Sequence, residues 1–286
     1  MHITKKQLNR LAYGSYVLQD IQLLFVETPK VACSSFKHVV AAIGGVDVNE
    51  ISASLAPATT QAMTIHDRDA ILLPSLVDLP STQATNILRS SEFVRFCVVR
   101  NPFARLASAW VDKIMCHSLS PIAPVAKFLG FPHYRADINY LREQFSEFVA
   151  YLYHHEAPDF SNHHWFTLNE LLLPDFINYT LEIRLENLET GLQRLAAHVE
   201  QQGIVWPGLP RFNETRIHIG LDIYTPATIQ RVAEMYERDF KRYEYATKID
   251  KNHRSFSRLP ETEAIRATQE SNQRVFYLSL KARGII

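Results

Sequence analysis

Two short stretches carry residue types that suit anion chemistry. In Leu24-Phe25-Val26-Glu27-Thr28-Pro29-Lys30-Val31-Ala32-Cys33-Ser34-Ser35-Phe36-Lys37, an apolar run leads into two lysines and two serines. In Phe96-Cys97-Val98-Val99-Arg100-Asn101-Pro102-Phe103-Ala104-Arg105-Leu106-Ala107-Ser108-Ala109-Trp110, a second apolar run ends on an arginine, with a serine eight residues later. Each reads as a buried strand, a tight loop and the first turns of a helix. A strand that turns directly into a helix aims the first helical N–H groups at one point. An amine, hydroxyls and a guanidinium added there suit phosphate or sulfate. Two such points suggest a ligand with two separate anionic groups.

In the first loop, Lys30 can reach a terminal anionic group and neutralise charge on a leaving oxygen. The amides from Ala32 to Ser35, with two hydroxyls, can cradle a phosphate, and Lys37 adds charge one turn into the helix. The pattern is not a Walker A loop, because no Gly-x-x-x-x-Gly-Lys is present and Lys30 precedes the hydroxyls by four residues. In the second stretch Arg100 offers a forked, permanently charged donor and Ser108 a hydroxyl. Taken alone, the first stretch is equally a strand–helix junction with a surface lysine. The second, taken alone, reads better as a structural salt bridge beside a solvated serine.

Among twelve histidines, His66 in His66-Asp67-Arg68-Asp69 and His164 in His163-His164-Trp165 are the candidate proton acceptors. The paired histidines lack convergent cysteine or carboxylate spacing, so no metal is expected.

The elements that must position these groups follow from periodicity. Ile21 to Val26 reads as a central parallel strand, followed by a helix capped by Ser34 or Ser35, buried through Phe36, Val39, Val40 and Ile43, and ended by Gly44-Gly45. Val46 to Asn86 shows little regular pattern. Glu92 to Val99 is the second strand. Its helix begins at Pro102 and buries Phe103, Leu106, Ala107, Trp110, Val111 and Ile114, with Ser108 and Asp112 off the stripe. Ser118 to Arg135 reads as a long loop, Tyr140 to Tyr153 as a helix and His154 to Asn169 as a loop. Asn178 to Leu185 is a third strand with a helix from Leu188, and Thr225-Pro226 opens a further long helix. Strands alternating with helices argue for an α/β sheet with helices on both faces.

Thirty basic and thirty acidic side chains cancel, so no global field recruits nucleic acid or a membrane. Three cysteines without ligand spacing argue against a disulfide framework. Met1 to Asp20 has no apolar signal core, and no run approaches the roughly 20 apolar residues that span a bilayer. The expected location is cytoplasmic, at most peripheral to a membrane.

Pro29 to Lys37 resembles the 5′-phosphosulfate-binding loop of the carbohydrate sulfotransferases, in the group of chondroitin, dermatan and HNK-1 sulfotransferases and their bacterial relatives. Val99 to Trp110 resembles that family's 3′-phosphate segment. Further likenesses follow in order: His164-Trp165, Leu185-Glu186-Asn187-Leu188-Glu189, Asn213-Glu214-Thr215, Tyr236-Glu237-Arg238-Asp239-Phe240 and Tyr245. Without the membrane anchor of the Golgi members, the chain looks like the soluble bacterial ones.

The resemblance implies a P-loop-like three-layer α/β fold with a central parallel sheet flanked by helices, as one domain over residues 1–286. It implies 3′-phosphoadenosine-5′-phosphosulfate (PAPS) as donor, 3′,5′-ADP as product and no metal. The donor would contact Lys30, Val31, Ala32, Cys33, Ser34, Ser35, Phe36, Lys37, Arg100 and Ser108. Lys30 would relieve charge on the leaving group and a histidine would act as base, His66 ahead of His164. Cys33-Ser34-Ser35 replaces the more usual hydroxyl or asparagine choices. The neutral charge balance favours a weakly charged glycan or glycolipid over a long polyanion. The rival readings are a P-loop-type kinase or NTPase and a non-catalytic nucleotide-binding module.

Overall fold

The computed structural model describes residues 4–54, 64–116, 134–154, 163–211, 217, 219–250 and 259–282. In chain order its elements are α1 (Lys5–Gly14), β1 (Ser15–Leu18), β2 (Leu23–Val26), α2 (Cys33–Ile43), α3 (Val48–Ser54), α4 (Ser81–Arg89) and β3 (Val94–Val99). Then come α5 (Pro102–Trp110), α6 (Ile138–His154), α7 (Leu168–Leu172), β4 (Leu181–Arg184), α8 (Leu188–Gln201), α9 (Pro226–Met235), α10 (Glu237–Arg242) and α11 (Thr262–Ala282). The chain divides into two compact units, Met1–Arg100 with Thr167–Glu214 and Asn101–Phe166 with Thr215–Ile286.

The first unit holds the sheet, which among the described residues runs β1-β2-β3-β4. β2, β3 and β4 are parallel, as the sequence predicts, and the register aligns Phe25 with Phe96 and Phe96 with Leu181. β1 pairs antiparallel with β2 and is the strand that apolar periodicity misses. Phe25 stacks on Phe96 with ring centroids 4.6 Å apart. This face packs against Phe36, Val39 and Val40 of α2 and Leu195 and Val199 of α8. Leu24, Val26, Cys97 and Val99 on the opposite face are also buried. Burial on both faces explains why β2 and β3 read as continuous apolar runs. Gly191 allows α8 to lie close on β4, since a Cβ there would stand 2.7 Å from the Ile183 side chain.

The buried Arg95 ties β3 to its surroundings. Its guanidinium donates to the carbonyls of Asn178 (2.7 Å), Ser90 (2.6 Å) and Ile87 (3.1 Å). The segment after α3, which the sequence leaves without regular structure, contains α4 and a turn held by Arg68, which donates to the carbonyls of Ser15 and Leu73 and lies over the Tyr16 ring.

The second unit is helical. Its core gathers Phe103, Trp110, Phe145, Phe148, Trp165, Tyr224 and Phe240, with edge-to-face packing of Trp110 on Phe145 and of Phe148 on Trp165. Such pairs add about 0.5–1.5 kcal/mol beyond their area. The predicted stripe of α5 is buried, and the helix continues as a π-helical turn at Val111–Met115. Thr225 and Thr228 form a capping box around Pro226, and the long helix predicted from there is interrupted at Tyr236 into α9 and α10. The long loop expected over Ser118 to Arg135, up to residue 133, and the Asn213-Glu214-Thr215 likeness lie outside the described residues. No helix among the described residues is long and apolar enough to cross a membrane.

Candidate functional site

β2 and β3 are adjacent and parallel, so the loops that follow them leave the same edge of the sheet. In open α/β sheets, that carboxyl edge is where ligands bind. The loop after β2 takes an uncommon backbone course. Lys30 (φ 67°) and Ala32 (φ 61°) both adopt left-handed conformations. For residues other than glycine this costs roughly 1–2 kcal/mol each, and alternating conformations of this kind turn successive N–H groups toward one concavity. Helix α2 starts at Cys33, with Ala32 rather than Ser34 or Ser35 at its cap. Alanine has no side-chain oxygen to answer the first helical amides. Phe36 donates back to the Ala32 carbonyl at 3.2 Å.

The loop after β3 is built differently. Asn101 caps α5 by accepting from the amides of Phe103 (2.9 Å) and Ala104 (3.4 Å), and Pro102 fills the first helical position. The sequence predicts that both helix starts offer their amides, but at α5 the Asn101 side chain already satisfies two of them. Arg100, at the end of β3, donates from Nη1 to the Lys30 carbonyl at 3.0 Å. The two anion-binding loops expected from the sequence are therefore in direct contact through these two residues.

Beneath the first loop lies a buried polar chain that the sequence reading does not anticipate. The Lys37 side chain is 1% exposed and that of Glu27 3%, and they form an ion pair. Arg10 approaches the same carboxylate at 3.7 Å. Burial alone would raise the Glu27 carboxyl, but Lys37 and Arg10 outweigh it and hold it below the ordinary value. Burial works against the Lys37 ammonium too, yet Glu27 outweighs it and raises its pKa. The ammonium also stands 5.5 Å and 5.6 Å from the ring centroids of Tyr13 and Tyr16, whose phenols burial pushes up.

From Lys37 the chain continues outward. Its Nζ lies 3.0 Å from His66 Nδ1, and His66 Nε2 lies 3.0 Å from the Ser34 hydroxyl. The structure thus gathers Ser34, Lys37 and His66 around one ring. Val31, Phe36 and Ser35 are buried, while Lys30 and Cys33 are partly exposed. Asp67 bonds back to the Thr64 carbonyl, and Arg68 anchors the turn to β1, so His66 sits on a braced segment. A signal for the ion pair was present, since Glu27 and Lys37 are charges inside otherwise apolar segments, yet pairing between a strand end and a helix cannot be read from spacing.

Ser108 and His164 belong to the second unit. Ser108 is partly exposed on α5, where its carbonyl accepts from the Val111 amide at the entry to the π-helical turn. His164 stacks on His163 with centroids 4.5 Å apart. The surrounding backbone is held firmly. Arg105 donates to the carbonyls of Phe166 (2.6 Å) and His163 (3.4 Å), and Tyr236 donates to that of Trp165 (2.6 Å). Among the described residues no group of three or more His, Cys, Asp or Glu side chains could hold a metal.

A family model described as "Sulfotransferase family" matches residues 14–246. The chain is similar to carbohydrate sulfotransferase 10 of Danio rerio, at 28% identity over 80% of this chain and 66% of the relative. Against the proteins of the same name from Xenopus laevis and Homo sapiens the identity is 28%, covering 84% of this chain and 71% and 70% of the relatives. It therefore spans about two thirds of their length. No solved structure matches the chain significantly.

Proposed function

This chain belongs to the sulfotransferase family, and we propose that it moves a sulfuryl group from PAPS to a hydroxyl of a carbohydrate acceptor, a glycan or glycolipid. The observation that carries the reading is the 3.0 Å bond from Arg100 to the Lys30 carbonyl. It joins the loops assigned to the 5′-phosphosulfate and the 3′-phosphate, as one nucleotide with two anionic ends requires. The donor chemistry fits: a left-handed loop and an uncapped helix start offer amides, and Lys30 and Arg100 supply cations. The carbohydrate acceptor is supported by the names of the similar proteins.

PAPS supplies the sulfuryl group and leaves as 3′,5′-ADP. Ala32 to Ser35 cradle the 5′ end, with Val31, Phe36 and Lys37 shaping the loop from behind. Arg100 and Ser108 hold the 3′-phosphate. Lys30 stabilises charge on the departing phosphate oxygen, and a histidine, His66 or His164, takes the acceptor proton during in-line attack.

The test is a thermal-shift titration with 3′,5′-ADP, 5′-AMP and ATP, followed by transfer of radiolabelled sulfate to a panel of oligosaccharides. Selective stabilisation by 3′,5′-ADP and transfer that continues in excess EDTA are expected. Preference for ATP with magnesium-dependent turnover would replace this reading with a kinase or NTPase.

A further inference from the structure

We infer that His66 is a positioning residue, locked by the buried Glu27–Lys37 pair so that it donates to Ser34 and turns the Ser34 hydroxyl into a donor toward the 5′-phosphate. This rests on the donor assignment proposed above. It separates His66 from the role of proton acceptor.

The argument is one of hydrogen-bond polarity. An ammonium has three donors and no acceptor. Lys37 is deeply buried, paired with Glu27, and flanked by the rings of Tyr13 and Tyr16. At 3.0 Å from His66 Nδ1 it can only donate, so Nδ1 carries the lone pair and the ring hydrogen resides on Nε2. Nε2 faces the Ser34 oxygen at 3.0 Å and therefore donates to it. An oxygen that accepts from the ring directs its own hydrogen elsewhere. Ser34 stands in the first turn of α2, beside the amides assigned to the phosphate. Polarity thus runs one way, from Lys37 through His66 to Ser34.

The same wiring opposes a role as base. The nitrogen bearing the lone pair faces a buried cation, and the other already carries its hydrogen. Accepting a substrate proton would require His66 to break its bond with Lys37 and place a second positive charge beside it. Glutamine at this position can reproduce both bonds, because its carbonyl accepts and its amide donates, yet it cannot act as a base near neutral pH.

Isothermal titration with 3′,5′-ADP tests this without a known acceptor. Ser34→Ala and His66→Ala should each weaken binding about tenfold, the size of one hydrogen bond to a charged group. The double variant should lose no more than about twofold beyond either single one, because the two act in series. His66→Gln should recover affinity to within about threefold of the parent. Nitrogen NMR of histidine-labelled protein should show His66 protonated on Nε2. Wild-type binding with additive losses, no recovery in His66→Gln, or a ring protonated on Nδ1 would overturn the relay alone. Failure of the wild-type protein to bind 3′,5′-ADP would instead remove the donor assignment on which the relay depends.

Discussion

Arg100 reaches from the end of β3 to the backbone of the neighbouring loop, where its Nη1 donates to the Lys30 carbonyl at 3.0 Å. The side chain has a forked, planar set of donors, so one arm can brace the loop while others address an anion. Arg100→Ala should weaken 3′,5′-ADP binding about 10- to 100-fold, and Arg100→Lys should recover little of it. Binding of 5′-AMP, which lacks the 3′-phosphate, should suffer much less. Calorimetry with both nucleotides checks this, and equal losses for the two would refute the assignment.

Lys30 is assigned to charge that develops as the sulfuryl group departs. Lys30→Ala should lower kcat about 100- to 1,000-fold, while 3′,5′-ADP affinity falls by less than about tenfold. Single-turnover measurements with radiolabelled donor would separate the two effects. Near-normal turnover would sink the role.

The Glu27–Lys37 pair makes a prediction about stability. Removing one partner leaves a buried charge, so Lys37→Met should cost about 3–5 kcal/mol, with the Glu27→Gln/Lys37→Met double variant recovering part of it. Glu27 has a lowered folded-state pKa, so its contribution is complete above the unfolded value of about 4.3 and is lost as pH falls through the folded value. Lys37 is raised, so its contribution is complete below about 10.4 and fades at higher pH. Thermal melts should therefore show a plateau between these limits, with both flanks shallower in the double variant.

Ala32 holds a left-handed conformation at φ 61°. Ala32→Gly should leave stability within about 1 kcal/mol, since relief of strain offsets the greater freedom of the unfolded chain. Ala32→Val should cost more than about 1 kcal/mol, because a branched side chain tolerates this region poorly. Urea unfolding of the two variants distinguishes strain from simple packing.

The strand–loop–helix units were legible because β2 and β3 are buried on both faces and their helices carry clear apolar stripes. The capping of α5 was also written locally, in Asn101 followed by Pro102. Strand β1 was not: four residues flanked by a helix and a short turn carry too little periodicity, and their pairing depends on β2. Intrinsic preference favours a serine hydroxyl at the cap of α2, whereas the loop places Ala32 there in a left-handed conformation. The contacts of His66 were out of reach, since they join a turn, a helix and a strand end that only the folded chain brings together. Roles for Ser108 and His164 rested on family likeness, which names residues without supplying distances.

The unequal capping of the two helices has a consequence for how the protein can change. In the proposed donor site the amides after Ala32, which has no capping side chain, would meet the 5′ end, so much of the recognition there would belong to the main chain and be less open to single side-chain replacements. At α5, where Asn101 already accepts from two amides, the proposed 3′-phosphate site would rely instead on the Arg100 guanidinium and the Ser108 hydroxyl, each removable by one codon change. Drift in nucleotide preference should accordingly begin at the ribose 3′ position and reach the sulfate-bearing end last.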